Sequence, residues 1–96
     1  MARMAIADTH FQGDHNWLLS ISVVIRRERK LLKLTQEGLA SKAGIHWRYL
    51  QEIEAGQHNN QPKNVSIGMV IALANGLEMS PTGFMQKIET YYHSQS

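Results

Sequence analysis

Apolar residues recur at helical spacing through the chain from Ile21 onward, and polar residues fill the positions between them. Residues three or four apart share one face of a helix, so each group of apolar positions predicts an amphipathic helix. The positions are Ile21, Ile25 and Leu32; Leu39, Ala40, Ile45, Leu50 and Ile53; Ile67, Val70, Ile71 and Ala74; and Phe84, Ile88 and Tyr91. The pattern predicts an all-α fold of five helices.

Capping residues and glycines mark the ends of these helices. Thr35, Ser66 and Ser80 belong to the residue types that accept hydrogen bonds from the first backbone N–H groups of a helix. Gly76 follows the fourth apolar group and is expected to end that helix. We expect helices over residues 20–33, 36–42, 46–55, 67–75 and 81–92.

The two ends of the chain differ from its centre. Residues 1–17 show no helical period, and we expect an N-terminal arm or a disordered lead-in there. This leaves one domain at residues 18–92 and a frayed tail at 93–96. The acidic and histidine side chains of the arm do not make up a tetrahedral ligand set, so no metal site is expected.

Two short helices in the middle of the chain are joined by the tight turn Ala43-Gly44-Ile45. On the second helix, Leu50 and Ile53 share an apolar face, and the opposite face is polar. The polar residues are Trp47, Arg48, Gln51 and Glu52. A helix with one packed face and one hydrogen-bonding face is what a helix-turn-helix presents to the major groove of DNA.

A series of short motifs in the same region resembles the Cro/phage-repressor helix-turn-helix family, also called the Xre family. The motifs are LTQEGLA at 34–40, AGI at 43–45, YL at 49–50, IEAG at 53–56, NVSI at 64–67 and LEMS at 77–80, with valine where the family has proline in NVSI. The resemblance spans residues 21–84 and includes short single-domain regulators such as restriction-modification controller proteins. It implies a five-helix lambda-repressor-like domain that binds double-stranded DNA and regulates transcription.

The resemblance also implies roles for residues outside the second helix of the motif, the recognition helix. It pairs Arg29 with Glu54 in a structural ion pair. It places Gln36 on the DNA backbone, next to the N-cap Thr35, where a helix N-terminus favours a phosphate. Lys63 lies in a polar loop at 57–64 that is longer than the usual connection in the family. This lysine either follows the DNA backbone or belongs to a tolerated surface insertion.

The recognition helix carries the residues that we expect to contact bases. Arg48 is the main candidate because arginine can bond guanine O6 and N7 together, and a phosphate contact is the alternative. Trp47 either meets a thymine methyl or sugar or packs on the polar loop. His46 either contacts a phosphate or base edge or faces water. Gln51 and Glu52 reach bases if the helix tilts into the groove, although Glu52 can instead pair with Arg48.

The distribution of charge suggests a polyanionic partner such as a nucleic acid, and an ordinary solvated surface is the alternative. Nine of the ten Lys and Arg residues precede Asn64, against six of the eight acidic residues, so the first part of the chain is basic. The chain has no cysteine, which fits a reducing cytoplasmic interior. No apolar run is long enough to suggest a membrane partner. No carboxylate pair, nucleophile–base set or phosphate loop appears, so we expect neither an enzyme nor a cofactor.

These observations predict a sequence-specific regulator that binds a palindromic operator as a homodimer. The last helix is expected to supply the subunit surface because it carries apolar residues outside the DNA-binding motif. The expected interface residues are Phe84, Met85, Ile88, Tyr91 and Tyr92. The alternative is an antitoxin-type interaction module that binds a toxin as well as its own promoter.

Overall fold

The computed structural model describes residues 15–58, 61–62 and 65–95. These residues form five helices and one pair of two-residue antiparallel strands in which Gln57 lies opposite Pro62. The elements are α1 (His15–Leu31), α2 (Gln36–Ala43), α3 (Trp47–Ala55), β1 (Gln57–His58), β2 (Gln61–Pro62), α4 (Ile67–Gly76) and α5 (Pro81–Ser94). The five-helix fold predicted from the sequence is confirmed, with the small strand pair as an addition.

One apolar core lies between the five helices. α1 packs against α5 and α3, and α2 packs against α4 and α3. The largest fully buried apolar side chains are Val24, Ile25, Leu39, Leu50, Ile53, Leu73, Phe84 and Ile88. Among the helices that the structure describes, none has the length and apolarity needed to cross a membrane.

The first helix begins five residues before the predicted start, at His15 instead of residue 20. The sequence of its first turns has no strong apolar period, and these turns are instead held by a ring stack and a hydrogen bond. Trp17 stacks on Tyr92 of α5 with ring centroids 3.9 Å apart, and the buried Ser20 Oγ donates to the carbonyl of Asn16 at 2.6 Å. Residues 15–17 of the expected arm therefore belong to α1, and residues 1–14 lie outside the described chain.

The end of α1 also differs from the prediction because Lys33 leaves the helical conformation. Its φ is 59°, in the left-handed region that non-glycine residues rarely adopt. The helix therefore stops at Leu31, two residues before the predicted end.

Side-chain caps begin α2, α4 and α5 where the sequence predicts them. Each cap has an extended backbone and a hydroxyl oxygen that accepts from the backbone N–H three residues later. The pairs are Thr35 with Gly38 at 2.9 Å, Ser66 with Met69 at 3.1 Å and Ser80 with Gly83 at 3.0 Å. These bonds satisfy donors that a helix N-terminus otherwise leaves open.

Gly76 lies at the end of α4, as the sequence predicts, but it is not a left-handed cap. It is the last residue of α4, and the left-handed residue beyond the helix is Glu78, with a φ of 62°. A Cβ atom on Gly76 would lie 2.9 Å from Leu39 Cδ1 and 3.1 Å from the backbone nitrogen of Ala43. The glycine is therefore required by the close approach of α4 to α2.

The structure corrects part of the expected subunit surface on α5. Phe84 and Ile88 are fully buried in the core, so neither side chain is available to a second subunit. Their stripe on α5 faces this chain's own core, where α5 packs on α1. Met85 is exposed, whereas Tyr91 and Tyr92 are half-buried.

We expect Gly76→Ala to lower the free energy of unfolding by about 1–3 kcal/mol, because the new methyl group overpacks the contact between α2 and α4. The matched control is Gly68→Ala in the same helix. A Cβ there meets nothing closer than Ser66 Oγ at 3.9 Å, so this change should be neutral or stabilising by up to about 1 kcal/mol. Urea unfolding of both variants measures the difference, and equal stabilities would contradict the packing role of Gly76.

Candidate nucleic-acid interface

α2 and α3 form a helix-turn-helix around Gly44. This residue is left-handed, with φ 72° and ψ 31°, and its N–H donates to the carbonyls of Ala40 and Ser41. The N–H of Ile45 returns to the carbonyl of Ala40 at 3.0 Å, which completes the end of α2. The turn redirects the chain immediately into α3.

The recognition helix α3 has one buried face and one exposed face. Leu50 and Ile53 are buried in the core. Trp47, Arg48 and Gln51 are exposed on the other side, and Glu52 is half-buried. The structure thus exposes three of the four residues of α3 that were expected to contact bases and leaves Glu52 half-buried.

Arg29 and Glu54 form the ion pair that the resemblance implied. Arg29 Nε donates to Glu54 Oε2 at 2.7 Å, and Nη2 donates to Oε1 at 2.9 Å. Only 4% of Glu54 is exposed, and the third arginine donor, Nη1, bonds the carbonyl of Leu34 at 2.9 Å. The bidentate geometry fixes the guanidinium and the carboxylate in one relative orientation.

Two further side chains of α1 hold the end of the recognition helix, and sequence reasoning missed both functions. Ser22 Oγ donates to the carbonyl of Ile53 at 2.6 Å, and Arg26 Nη2 donates to the carbonyl of Glu54 at 2.9 Å. The last carbonyls of a helix have no partner within the helix, so these bonds satisfy them. The sequence feature that could have indicated the Ser22 contact is a serine placed between apolar residues of α1.

Gln36 contributes to the same cluster, which differs from its expected role. Its side-chain Nε2 donates to Glu54 Oε1 at 3.0 Å, so the amide bonds the buried carboxylate in this structure. The sequence placed this side chain on the DNA backbone. Its main-chain N–H lies in the first turn of α2, at the end of a helix where an anion is favoured.

His46 caps the recognition helix. Its Nδ1 accepts a hydrogen bond from the backbone N–H of Arg48 at 3.1 Å, and its backbone is extended. The His46 ring therefore has a structural role at the start of α3, in addition to its exposure to solvent. Lys63, expected in the polar loop near the DNA backbone, lies outside the described residues.

Comparisons with known proteins agree with this geometry. The sequence model of the helix-turn-helix family HTH_3 matches residues 25–84. No curated protein sequence gives a significant match. Solved structures of restriction-modification controller proteins are similar to the chain at 25% sequence identity or more.

Three of these structures show the extent of the similarity. C.Esp1396I bound to a 19 base pair DNA duplex has a TM-score of 0.67 and 28% identity over 78% of this chain and 93% of that chain. The C.Esp1396I tetramer with its natural 35 base-pair operator has a TM-score of 0.71 and 27% identity over 80% of this chain and 95% of that chain. C.AhdI from Aeromonas hydrophila has a TM-score of 0.61 and 30% identity over 70% of this chain and 94% of that chain.

The ion pair beneath the recognition helix gives a stability prediction. Glu54→Ala leaves Arg29 without its carboxylate, and breaking a buried pair in this way should cost about 3–5 kcal/mol of unfolding free energy. Lys42→Ala is the control because it removes one partner of the exposed Lys42–Glu78 pair, which should cost at most about 1 kcal/mol. Thermal unfolding compares the two, and similar small losses would contradict a structural role for Glu54.

Proposed function

The chain belongs to the helix-turn-helix family, and from this premise we propose that it regulates transcription by binding a roughly palindromic operator as a homodimer. The observation that carries the proposal is the exposed polar face of α3, which lies opposite a face buried in the core. A buried face fixes the helix, and the exposed face leaves Trp47, Arg48 and Gln51 available to a major groove.

The exposed residues divide into those that read bases and those that position the protein. Arg48 is our candidate for guanine, because its guanidinium can bond O6 and N7 together. Trp47 offers an apolar ring to a thymine methyl, and Gln51 offers an amide to adenine one turn further along α3. The first turn of α2, with Thr35 and Gln36, supplies backbone N–H groups for a phosphate.

Similar proteins support this use of the fold. One similar protein, with 28% identity, is bound to a 19 base pair DNA duplex, and one with 27% identity is a tetramer in complex with a 35 base-pair operator. A single recognition helix touches too few base pairs to discriminate one site from a genome of competitors. Two-fold symmetry doubles the contacts, and half-sites about 34 Å apart then match the two recognition helices.

We place the subunit contact on an apolar surface between α1, α4 and α5 instead of on the buried residues of α5. Ile67 is 71% exposed there and Met85 is 39% exposed, and Ile71, which is 42% exposed, follows Ile67 by one turn of α4. Ile67 and Met85 are part of the lining of a groove of about 290 Å³. The groove is lined by Trp17, Leu18, Ile21, Val65, Ile67, Val70 and Met85.

A second copy of the chain is the proposed occupant of this groove. Because the protruding side chains and the groove lie on one surface, two copies can pair across a two-fold axis. Each copy then places its protruding side chains in the groove of the other. The surface also contains none of the exposed α3 residues that we assign to DNA. One dimer can therefore present both recognition helices.

The test of DNA binding is selection from random duplexes with the purified protein. We expect recovery of a site with two similar half-sites, and affinity should fall by orders of magnitude between low and moderate salt because several phosphates are neutralised. Arg48→Ala should lose preference at one base pair in each half-site at a cost of about 1–3 kcal/mol. Recovery of no duplex would contradict the proposed function, and an equal loss on all sequences would make Arg48 a phosphate contact.

The test of the dimer is Ile67→Asp combined with Met85→Asp, two exposed residues that line the groove, followed by sedimentation and titration of the selected duplex. Both side chains are exposed in the single chain, so the variant should remain folded while it becomes monomeric and binds the operator weakly. Leu31→Asp is the control, because Leu31 is 70% exposed and does not line the groove. A wild-type protein that is monomeric at all concentrations, or a double variant that stays dimeric, would contradict this interface. The first result would leave a toxin-type partner as the alternative occupant.

A further inference from the structure

His46 has one ring nitrogen already committed, and this fixes what the other can do. Nδ1 accepts the hydrogen bond from the Arg48 N–H at 3.1 Å, and a nitrogen that accepts in this way carries no proton. A neutral imidazole has one N–H, so the proton must lie on Nε2. The cap therefore selects one tautomer of the ring, with Nε2–H as a donor on the opposite edge.

The position of His46 places this donor at the front of the recognition helix. The residue is exposed and immediately precedes Trp47 and Arg48, which lie on the exposed face of α3. A serine or asparagine cap would also satisfy the Arg48 N–H, but its side chain is shorter and carries no second ring nitrogen. Histidine therefore caps the helix through Nδ1 and also carries a donor, Nε2–H, on the far edge of the ring.

We propose that His46 both caps the recognition helix through Nδ1 and contacts DNA directly, by donating its Nε2–H to an acceptor atom on DNA. The acceptor is either a phosphate oxygen or a base-edge atom in the major groove, such as a purine N7 or thymine O4. The inference rests on the proposed DNA-binding function. It adds that the ring makes this contact as a donor, so at a base edge it accepts purine N7 or thymine O4 and rejects the amino groups of adenine and cytosine.

Two substitutions separate the cap from the contact. His46→Ser keeps a capping oxygen and removes the Nε2–H, whereas His46→Ala removes both. We expect His46→Ser to melt at or above the wild-type temperature and to bind the selected duplex about 3- to 10-fold more weakly, which is the loss of one hydrogen bond. His46→Ala should bind at least as weakly and also melt at a lower temperature.

The pattern of the loss identifies the source of the acceptor. An equal loss on all duplexes assigns a phosphate oxygen, and a loss confined to one base-pair position assigns a base edge. Long-range proton–nitrogen correlation spectra of the free protein report the tautomer directly, and we expect the proton on Nε2.

Two results would overturn the inference while leaving the proposed function intact. One is a His46→Ser variant that binds the selected duplex as tightly as the wild-type protein. The other is a spectrum that places the proton on Nδ1. Failure of the wild-type protein to bind any duplex would instead overturn the proposed function, and this inference with it.

Discussion

The carboxylate of Glu54 lies between three helices and accepts hydrogen bonds from Arg29 of α1 and Gln36 of α2, while its own backbone belongs to α3. A buried carboxylate is costly unless its oxygens are paired, so each of the three helices must stay in place for the others to remain satisfied. Ser22 and Arg26 extend this cluster by bonding the last carbonyls of α3. The cluster thereby fixes the C-terminal end of the recognition helix relative to the rest of the domain.

The N-terminal end of α3 lies at the surface, in contrast to the C-terminal end that this cluster anchors. His46 caps it from the surface, and the exposed side chains begin with the next residue. A helix fixed by buried bonds at one end and exposed at the other can present side chains to DNA with little loss of conformational entropy on binding. The apolar surface around Ile67 and Met85 contains none of these residues, so the proposed contact with DNA and the proposed pairing with a second subunit would not compete.

Local chemistry allowed much of the fold to be predicted from the sequence. Hydroxyl caps such as Thr35 act over three residues, and Gly44 has the positive φ that its place between two helices required. The spacing of apolar residues indicated which faces of the helices are buried. For α5, spacing predicted an apolar stripe but gave no information on what covers it, because a core-facing stripe and a subunit-facing stripe have the same period. Phe84 and Ile88 were therefore assigned to the wrong surface.

The remaining differences depend on contacts between residues distant in the sequence. The closeness of Gly76 to Ala43 and the bond from Ser22 to Ile53 follow only from the way the helices cross. The same is true of Gln36, whose position at a helix N-terminus suggested a phosphate contact although Glu54 lies within hydrogen-bond distance. The site residues on α3 were easier to find because their exposure follows from the period of a single helix.

The central claim is that the face formed by the start of α2 and by α3 is the surface that meets DNA. An amide chemical-shift map of the nitrogen-15-labelled protein during titration with the selected duplex tests this claim most directly. The account predicts that the largest changes occur at residues 36–38 and 46–52, with small changes along α5. Changes centred on α5 and the apolar groove, with residues 46–52 unaffected, would contradict it.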